Sequence, residues 1–158
     1  MNEQEKKASE LYWELIDTNI SGNDITELMK ELIATGKTST LLRVARDGVR
    51  DMKDEQKDLF IDAIITTNYP SLIIGFASLS NYSKKKLANK IIATNNPTLI
   101  IEFAKKVGYP MNKLTDAIIK TTPLWAKKFI EEVEGLSKKE LKKLNDYIDS
   151  NKEVEQEI

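Results

Sequence analysis

A recurring apolar segment is the feature of this sequence that most restricts its fold. Residues 62–77 read D-A-I-I-T-T-N-Y-P-S-L-I-I-G-F-A, and residues 89–107 read N-K-I-I-A-T-N-N-P-T-L-I-I-E-F-A-K-K-V. A third copy covers residues 116–133, and a fainter one covers residues 31–45. Equivalent isoleucines follow one another at steps of 32, 27 and 27 residues: Ile33, Ile65, Ile92 and Ile119. Fixed self-similarity at this spacing is typical of a stacked repeat array.

Each repeat predicts two helices joined by a tight turn. Pro70, Pro97 and Pro123 fall where the second helix would begin. At that position the missing N–H is harmless and the fixed φ is already helical. Asn68 and Asn95 can adopt the left-handed conformation that closes the first helix. One such pair cannot bury its own apolar face, so several pairs must stack.

In architecture these units resemble the HEAT and armadillo type of α-solenoid, over roughly residues 24–150. The unit is shorter here than the roughly 40 residues usual in those families. We predict an all-α fold, a right-handed α-solenoid of about four helix-pair repeats of 27–32 residues. The predicted single domain, residues 1–158, comprises an N-terminal cap helix (1–20), four helix pairs (24–133), a C-terminal cap helix (137–150) and a frayed tail (151–158).

Histidine and cysteine are both absent from the 158 residues. This excludes a histidine general base, a Ser-His-Asp or Cys-His arrangement, disulfides and a zinc site of ordinary composition. The sequence also lacks a phosphate-binding glycine loop. Asp62 and Asp116 occupy equivalent repeat positions, but Asn89 takes that place between them, so we interpret both carboxylates as solvated. We therefore predict a non-enzymatic protein with no catalytic residue, no cofactor and no metal.

The composition favours a soluble cytoplasmic protein. No apolar run approaches the length of about 18 residues that a membrane span needs. The start, M-N-E-Q-E-K-K, is too polar for a signal peptide. We therefore expect no membrane contact. Frequent use of Lys, Asn and Ile indicates an AT-rich genome, bacterial or from a phage.

Two columns of the repeat predict structural roles. Three phenylalanines at helical spacing predict core positions: Phe76, Phe103 and Phe129. Trp125 stands where other copies have Leu72 and Leu99, so we predict that it is also core. A threonine closes each first helix, and its hydroxyl is expected to bond back to the preceding turn. These threonines are Thr35, Thr67, Thr94 and Thr121.

The outward positions of the second helices are the most informative for function. In solenoids these helices usually line the concave face, and here they carry mixed charge bordered by tyrosine and arginine. Such a surface suits a protein partner. The candidate partner-binding residues are Trp13, Arg43, Arg46, Tyr82, Glu102, Lys105, Lys106, Tyr109, Lys127 and Lys128. We predict a protein-interaction module, an adaptor or inhibitor, that is a monomer or weak homo-oligomer.

A basic segment supports an alternative hypothesis. Residues 84–128 carry a net charge of +8, although the whole chain has a net charge of −1. Nucleic acid could bind here through Lys84, Lys85, Lys86 and Lys90. Against this, no arginine lies in the segment. A self-assembling structural protein is the third possibility.

Overall fold

A computed structural model describes residues 2–151 of the chain, and within this range it is all-helical. The predicted all-α class is therefore confirmed. The ten α-helices are α1 (Glu3–Leu15), α2 (Gly22–Ala34), α3 (Thr38–Asp47), α4 (Asp54–Ile65), α5 (Pro70–Leu79), α6 (Lys84–Ala93), α7 (Pro97–Lys106), α8 (Met111–Ile119), α9 (Pro123–Glu132) and α10 (Lys138–Ser150). A short 3-10 helix, Val49–Asp51, follows α3.

Local signals in the sequence set where the helices begin. The three prolines that were predicted to begin second helices are the first residues of α5, α7 and α9. Ser21 caps α2 by accepting a hydrogen bond from the Asp24 N–H. At α10 the Ser137 hydroxyl oxygen accepts from the Glu140 N–H at 3.1 Å, and the Ser137 N–H donates to the Glu140 carboxylate at 2.6 Å. This reciprocal pair is a capping box, for which the sequence S-K-K-E at residues 137–140 is typical.

The turns between paired helices also follow the prediction. Asn68 and Asn95 have φ values of 57° and 56°, in the left-handed region. Each helix-closing threonine donates its hydroxyl to the carbonyl three residues earlier, at 2.6–2.7 Å. The threonine column is therefore structural, because its hydroxyls satisfy carbonyls at the end of each first helix.

The chain forms two compact units. Unit 1 ends at Leu87 and contains α1 to α5. In it α1 packs on α2 and α3, α2 packs on α4, and α3 packs on α5. Phe60 and Phe76 are fully buried, with ring centroids 6.4 Å apart. A side chain at Gly48 would meet the backbone of Ile16 at 2.7 Å, so glycine permits the close approach of these two segments.

Unit 2 begins at Ala88, within α6, and contains α7 to α10. Here α7 contacts α8 and α9, and α10 contacts α8 and α9. Phe103, Phe129, Ile118 and Leu144 are fully buried in its core. The three phenylalanines predicted as core residues are thus confirmed, Phe76 in unit 1 and the other two here.

The predicted frayed tail covers residues 151–158, of which 152–158 lie outside the described residues. The single-domain organisation stays a prediction. None of the helices in residues 2–151 has the length and apolar character that a membrane span requires.

Candidate functional site

Trp13 projects from unit 1 with 66% of its surface exposed. It lies one residue beyond Tyr12, which is buried in the apolar stripe of α1, and a helix turns by about 100° per residue. The two rings meet edge to face with centroids 5.1 Å apart. Trp13 therefore lies off the buried stripe and is exposed, as a partner-binding residue must be.

Arg43 on α3 lies beside this aromatic pair. Its guanidinium carbon is 4.7 Å from the centroid of the Tyr12 ring, a cation–π contact. Tyr12, Trp13 and Arg43 line a depression of about 310 Å³ together with Glu5, Ser9 and Thr40. We name the exposed face formed by Trp13, Arg43 and Arg46 the Trp13 surface.

Asp47 holds the polar side of this surface in place. The Tyr12 hydroxyl donates to its Oδ2 at 2.6 Å. Arg46 donates from Nε to Oδ1 at 2.7 Å and from Nη2 to Oδ2 at 3.3 Å. The hydrogen bonds from Arg46 and then Tyr12 lower the pKa of Asp47 from 3.8 to about 2. The same hydrogen bond, followed by burial, raises the pKa of Tyr12.

Sequence reasoning did not identify Tyr12 and Asp47 as part of this site. Tyr12 lies in the apolar stripe of α1, and its ring is buried as that stripe requires. A buried tyrosine hydroxyl needs a hydrogen-bond partner, and this was the available signal. The partner stands 35 residues away, so the sequence did not reveal which carboxylate it would be.

Tyr82 corrects the prediction that places it at an exposed margin. Its side chain is only 8% exposed, and its hydroxyl donates to Asp58 Oδ1 at 2.7 Å. The turn after α5 causes this burial: Asn81 is left-handed with φ 56°, and the Tyr82 N–H donates to the Ala77 carbonyl at 2.9 Å. This bond folds the chain back over the helix end.

Unit 2 brings together three of the predicted residues, Glu102, Lys105 and Lys128. Lys105 Nζ lies 3.3 Å from Glu102 Oε1 and 3.2 Å from Glu132 Oε1, and so links α7 to α9. Lys128 lies 3.8 Å from the other oxygen of Glu132. Hydrogen bonds to Glu132 and then Glu102 raise the pKa of Lys105. We name these four side chains the unit 2 ion cluster.

The other candidate partner-binding residues of unit 2 are exposed. Lys106 is on α7, Lys127 is on α9, and Tyr109 is 55% exposed in the connection between α7 and α8. Glu132, which the sequence did not single out, is the centre of the ion cluster. Its neighbour Glu131 is exposed.

The lysines of the nucleic-acid hypothesis lie on α6. Lys84 and Lys85 are exposed in its first turn, and Lys90 is half-buried. Lys86 lies 3.6 Å from Asp58, the carboxylate that also accepts from Tyr82. At least one cation of this group therefore has an acidic partner within the protein.

Trp125 corrects a second prediction. It was expected in the core, but its side chain is half-buried at the wall of a groove, with Lys128 Nζ 5.4 Å from the ring centroid. Trp125 is in the first turn of α9, and its indole is larger than the leucine found at equivalent repeat positions. The additional ring atoms extend from the core toward the surface.

Comparison with known proteins gives no significant match to a family model, a curated protein or a solved structure.

Proposed function

We propose that this chain is a non-enzymatic protein-interaction module that binds a protein partner through the Trp13 surface. The observation that carries the proposal is the exposure of Trp13, at 66%, directly beside Arg43. Tryptophan and arginine dominate the small sets of residues that supply most of the binding energy at protein interfaces. An indole that protrudes into water can bury a large apolar area in a pocket of the partner.

The polar part of the Trp13 surface is already ordered before any partner binds. Arg43 is stacked on Tyr12, and Arg46 is held by both oxygens of Asp47. Immobilising a flexible side chain at an interface costs about 0.5–1.5 kcal/mol. Because these two arginines are preoriented, less of that cost remains when a partner arrives.

The proposal includes the finer architecture predicted from the repeats, a right-handed α-solenoid of about four helix pairs. Within unit 1, first helices stack on first helices (α2 on α4) and second helices on second helices (α3 on α5). Within unit 2, α7 and α9 are second helices in contact, and α8 contacts α10. This alternation supports stacked pairs. Arg43 and Arg46 belong to a second helix, whose outward side would be the concave, partner-binding face.

A capture experiment with matched variants tests the protein-binding function. Wild-type protein, Trp13→Ala, Arg43→Ala and Leu124→Ala would be immobilised and exposed to nuclease-treated lysate of the source cell. Leu124 is the matched control because it is also 66% exposed but lies in unit 2. Mass spectrometry should find a protein retained by wild type and Leu124→Ala and depleted on both Trp13→Ala and Arg43→Ala. Equal retention on all four proteins would refute the proposed surface.

Nucleic-acid binding is the second candidate function. It is favoured by the exposure of Lys84 and Lys85 at adjacent positions of α6. It is weakened by the ion pairs of Lys86 with Asp58 and of Lys105 with two glutamates, because a paired lysine releases fewer counterions from a phosphate backbone.

Fluorescence anisotropy with labelled single- and double-stranded DNA and RNA would separate the two candidates. Specific involvement of α6 requires binding that falls steeply with salt and is lost in Lys84→Glu/Lys85→Glu. Lys138→Glu/Lys139→Glu, on exposed residues of α10, is the matched control. Binding of this kind, together with capture from lysate that disappears on nuclease treatment, would replace the protein-binding proposal.

A further inference from the structure

Unit 2 contains a groove of about 540 Å³ at the N-terminal ends of α7 and α9. Its volume lies in the range of about 300–1,000 Å³ that is usual for small-molecule sites. Trp125 forms part of its wall, and Ile92 and Ile100 supply apolar surface. Polar groups come from Lys120, Asn95 and Thr122.

Unit 1 has a groove at the equivalent repeat positions, and its lining is different. That groove measures about 600 Å³ and is lined by Leu72 and Gly36, where unit 2 has Trp125 and Asn95. Thr66 occupies the repeat position of Lys120 and does not line the unit 1 groove. The tryptophan and the cation are thus additions to a groove that helix-pair stacking produces in both units.

The charge of the unit 2 groove favours an anion. Lys120 lines it. The Lys128 ammonium group lies 5.4 Å from the centroid of the Trp125 ring, but it is outside the lining and already paired with Glu132. Among the described residues, none that lines this groove carries a carboxylate. The Asn95 amide and Thr122 hydroxyl are further hydrogen-bond donors.

We propose that this groove binds a small planar anion, an aromatic ring that carries a carboxylate or a phosphate. The ring packs against Trp125 and the neighbouring isoleucines, and the anionic group pairs with Lys120. Ring stacking on an indole and charge-assisted hydrogen bonding to an ammonium group are independent contributions, so the site distinguishes its ligand from a neutral ring and from a ringless anion.

The walls of the groove are ordered without ligand. Proline begins both α7 and α9, and the Asn96 side chain accepts from the Leu99 N–H at 3.3 Å to cap α7. The Tyr147 hydroxyl of α10 donates to the Thr121 carbonyl at the groove. A preformed site retains more of the interaction energy as affinity.

Tryptophan fluorescence provides a direct measurement. The chain has two tryptophans, so Trp13→Phe leaves Trp125 as the single emitter. Benzoate and adenosine monophosphate would be titrated into this variant, each compared with its neutral counterpart, benzamide or adenosine, and with acetate and inorganic phosphate. We expect saturable change with at least one ringed anion, at dissociation constants from about 10 µM to 5 mM. Response to benzoate alone would identify a carboxylate ligand, and response to the nucleotide alone would identify a phosphate ligand.

Two variants define the roles of the groove residues. Lys120→Met should weaken binding of the ringed anion about tenfold, whereas Lys113→Met, an exposed lysine of α8 outside the groove, should leave it unchanged. Trp125→Leu installs the residue that fills the equivalent place in unit 1, so it should fold and yet lose binding by calorimetry. Equal affinity for neutral and anionic rings, equal effects of the two lysine variants, or no saturable response to any probe would overturn the proposal.

Discussion

The hydroxyl of Tyr82 donates a hydrogen bond of 2.7 Å to Oδ1 of Asp58, and so ties the end of α5 to α4 within unit 1. Asp58 also lies 3.6 Å from Lys86, which keeps its charge compensated. Burial and then the hydrogen bond raise the pKa of Tyr82. The tyrosine is thus a structural residue whose phenol must stay protonated to hold this contact.

Tyr82→Phe should therefore destabilise the protein. The ring remains to fill its buried site, but the hydrogen bond to a charged acceptor is lost, at a cost of about 1.5–3 kcal/mol. Urea denaturation followed by circular dichroism measures this free energy of unfolding. Tyr109→Phe is the control, because that side chain is 55% exposed and should change stability by no more than about 0.5 kcal/mol. Equal effects of the two substitutions would contradict the role assigned to Tyr82.

Asn81 has a left-handed backbone conformation, so the stability of variants at this position should depend on how well each residue adopts that conformation. Its φ is 56°, its N–H donates to the Ser78 carbonyl, and the next N–H donates to the Ala77 carbonyl. Asn81→Gly should change the free energy of unfolding little, because glycine has no Cβ. Asn81→Ala should lower it by about 1 kcal/mol, because alanine keeps the Cβ and lacks the short polar side chain that lets asparagine adopt this conformation. The comparison uses the same urea denaturation. An alanine variant as stable as the glycine variant would rule out strain at this position.

Helix boundaries could be predicted from this sequence because their causes are local. Pro70, Pro97 and Pro123 each begin a helix, and Asn68 and Asn95 each close a turn, within a few residues of the groups they satisfy. The 27-residue period adds which positions share a column. These two kinds of signal account for the correct prediction of an all-α chain.

The site could be predicted only in part because its contacts join distant residues. Lys105 was predicted on an outward face, but the sequence did not single out Glu132, which pairs with it together with Glu102. A repeat column predicts which face of a helix a residue occupies. Which of the nearby side chains forms the ion pair then depends on how far each side chain extends. Tyr82 was misjudged for a related reason, since Asn81 turns the chain back and buries a residue that lies beyond the helix in sequence.

Asp47 should make stability depend on acid pH. Its pKa in the folded protein is about 2 and its ordinary value is 3.8, so its ionised form stabilises the fold above pH 3.8. That stabilisation is lost as the pH falls through about 2. The difference in Tm between wild type and Asp47→Asn should therefore be constant above pH 3.8 and shrink as the pH falls toward 2.

Asp51→Asn is the control for this pH dependence, because Asp51 is an exposed aspartate of the same unit. Thermal unfolding of the three proteins across this acid range gives the comparison. If the Tm difference between wild type and Asp47→Asn stayed the same from neutral pH down to 2, the hydrogen bonds from Arg46 and Tyr12 could not be stabilising the carboxylate.

Lys105 should couple α7 to α9 through Glu132. Lys105→Met keeps much of the aliphatic side chain and removes the charge, so at low salt it should lower the Tm of the protein. The loss should shrink as sodium chloride is added, because partly exposed ion pairs are screened. Lys113→Met, which removes an exposed charge from α8, should show no comparable salt dependence.

In a double-mutant cycle, Glu132→Gln should destabilise less in the Lys105→Met background than in wild type. Additive effects would mean that Lys105 and Glu132 do not stabilise the fold together, and Lys105 would then become available to a partner or to phosphate.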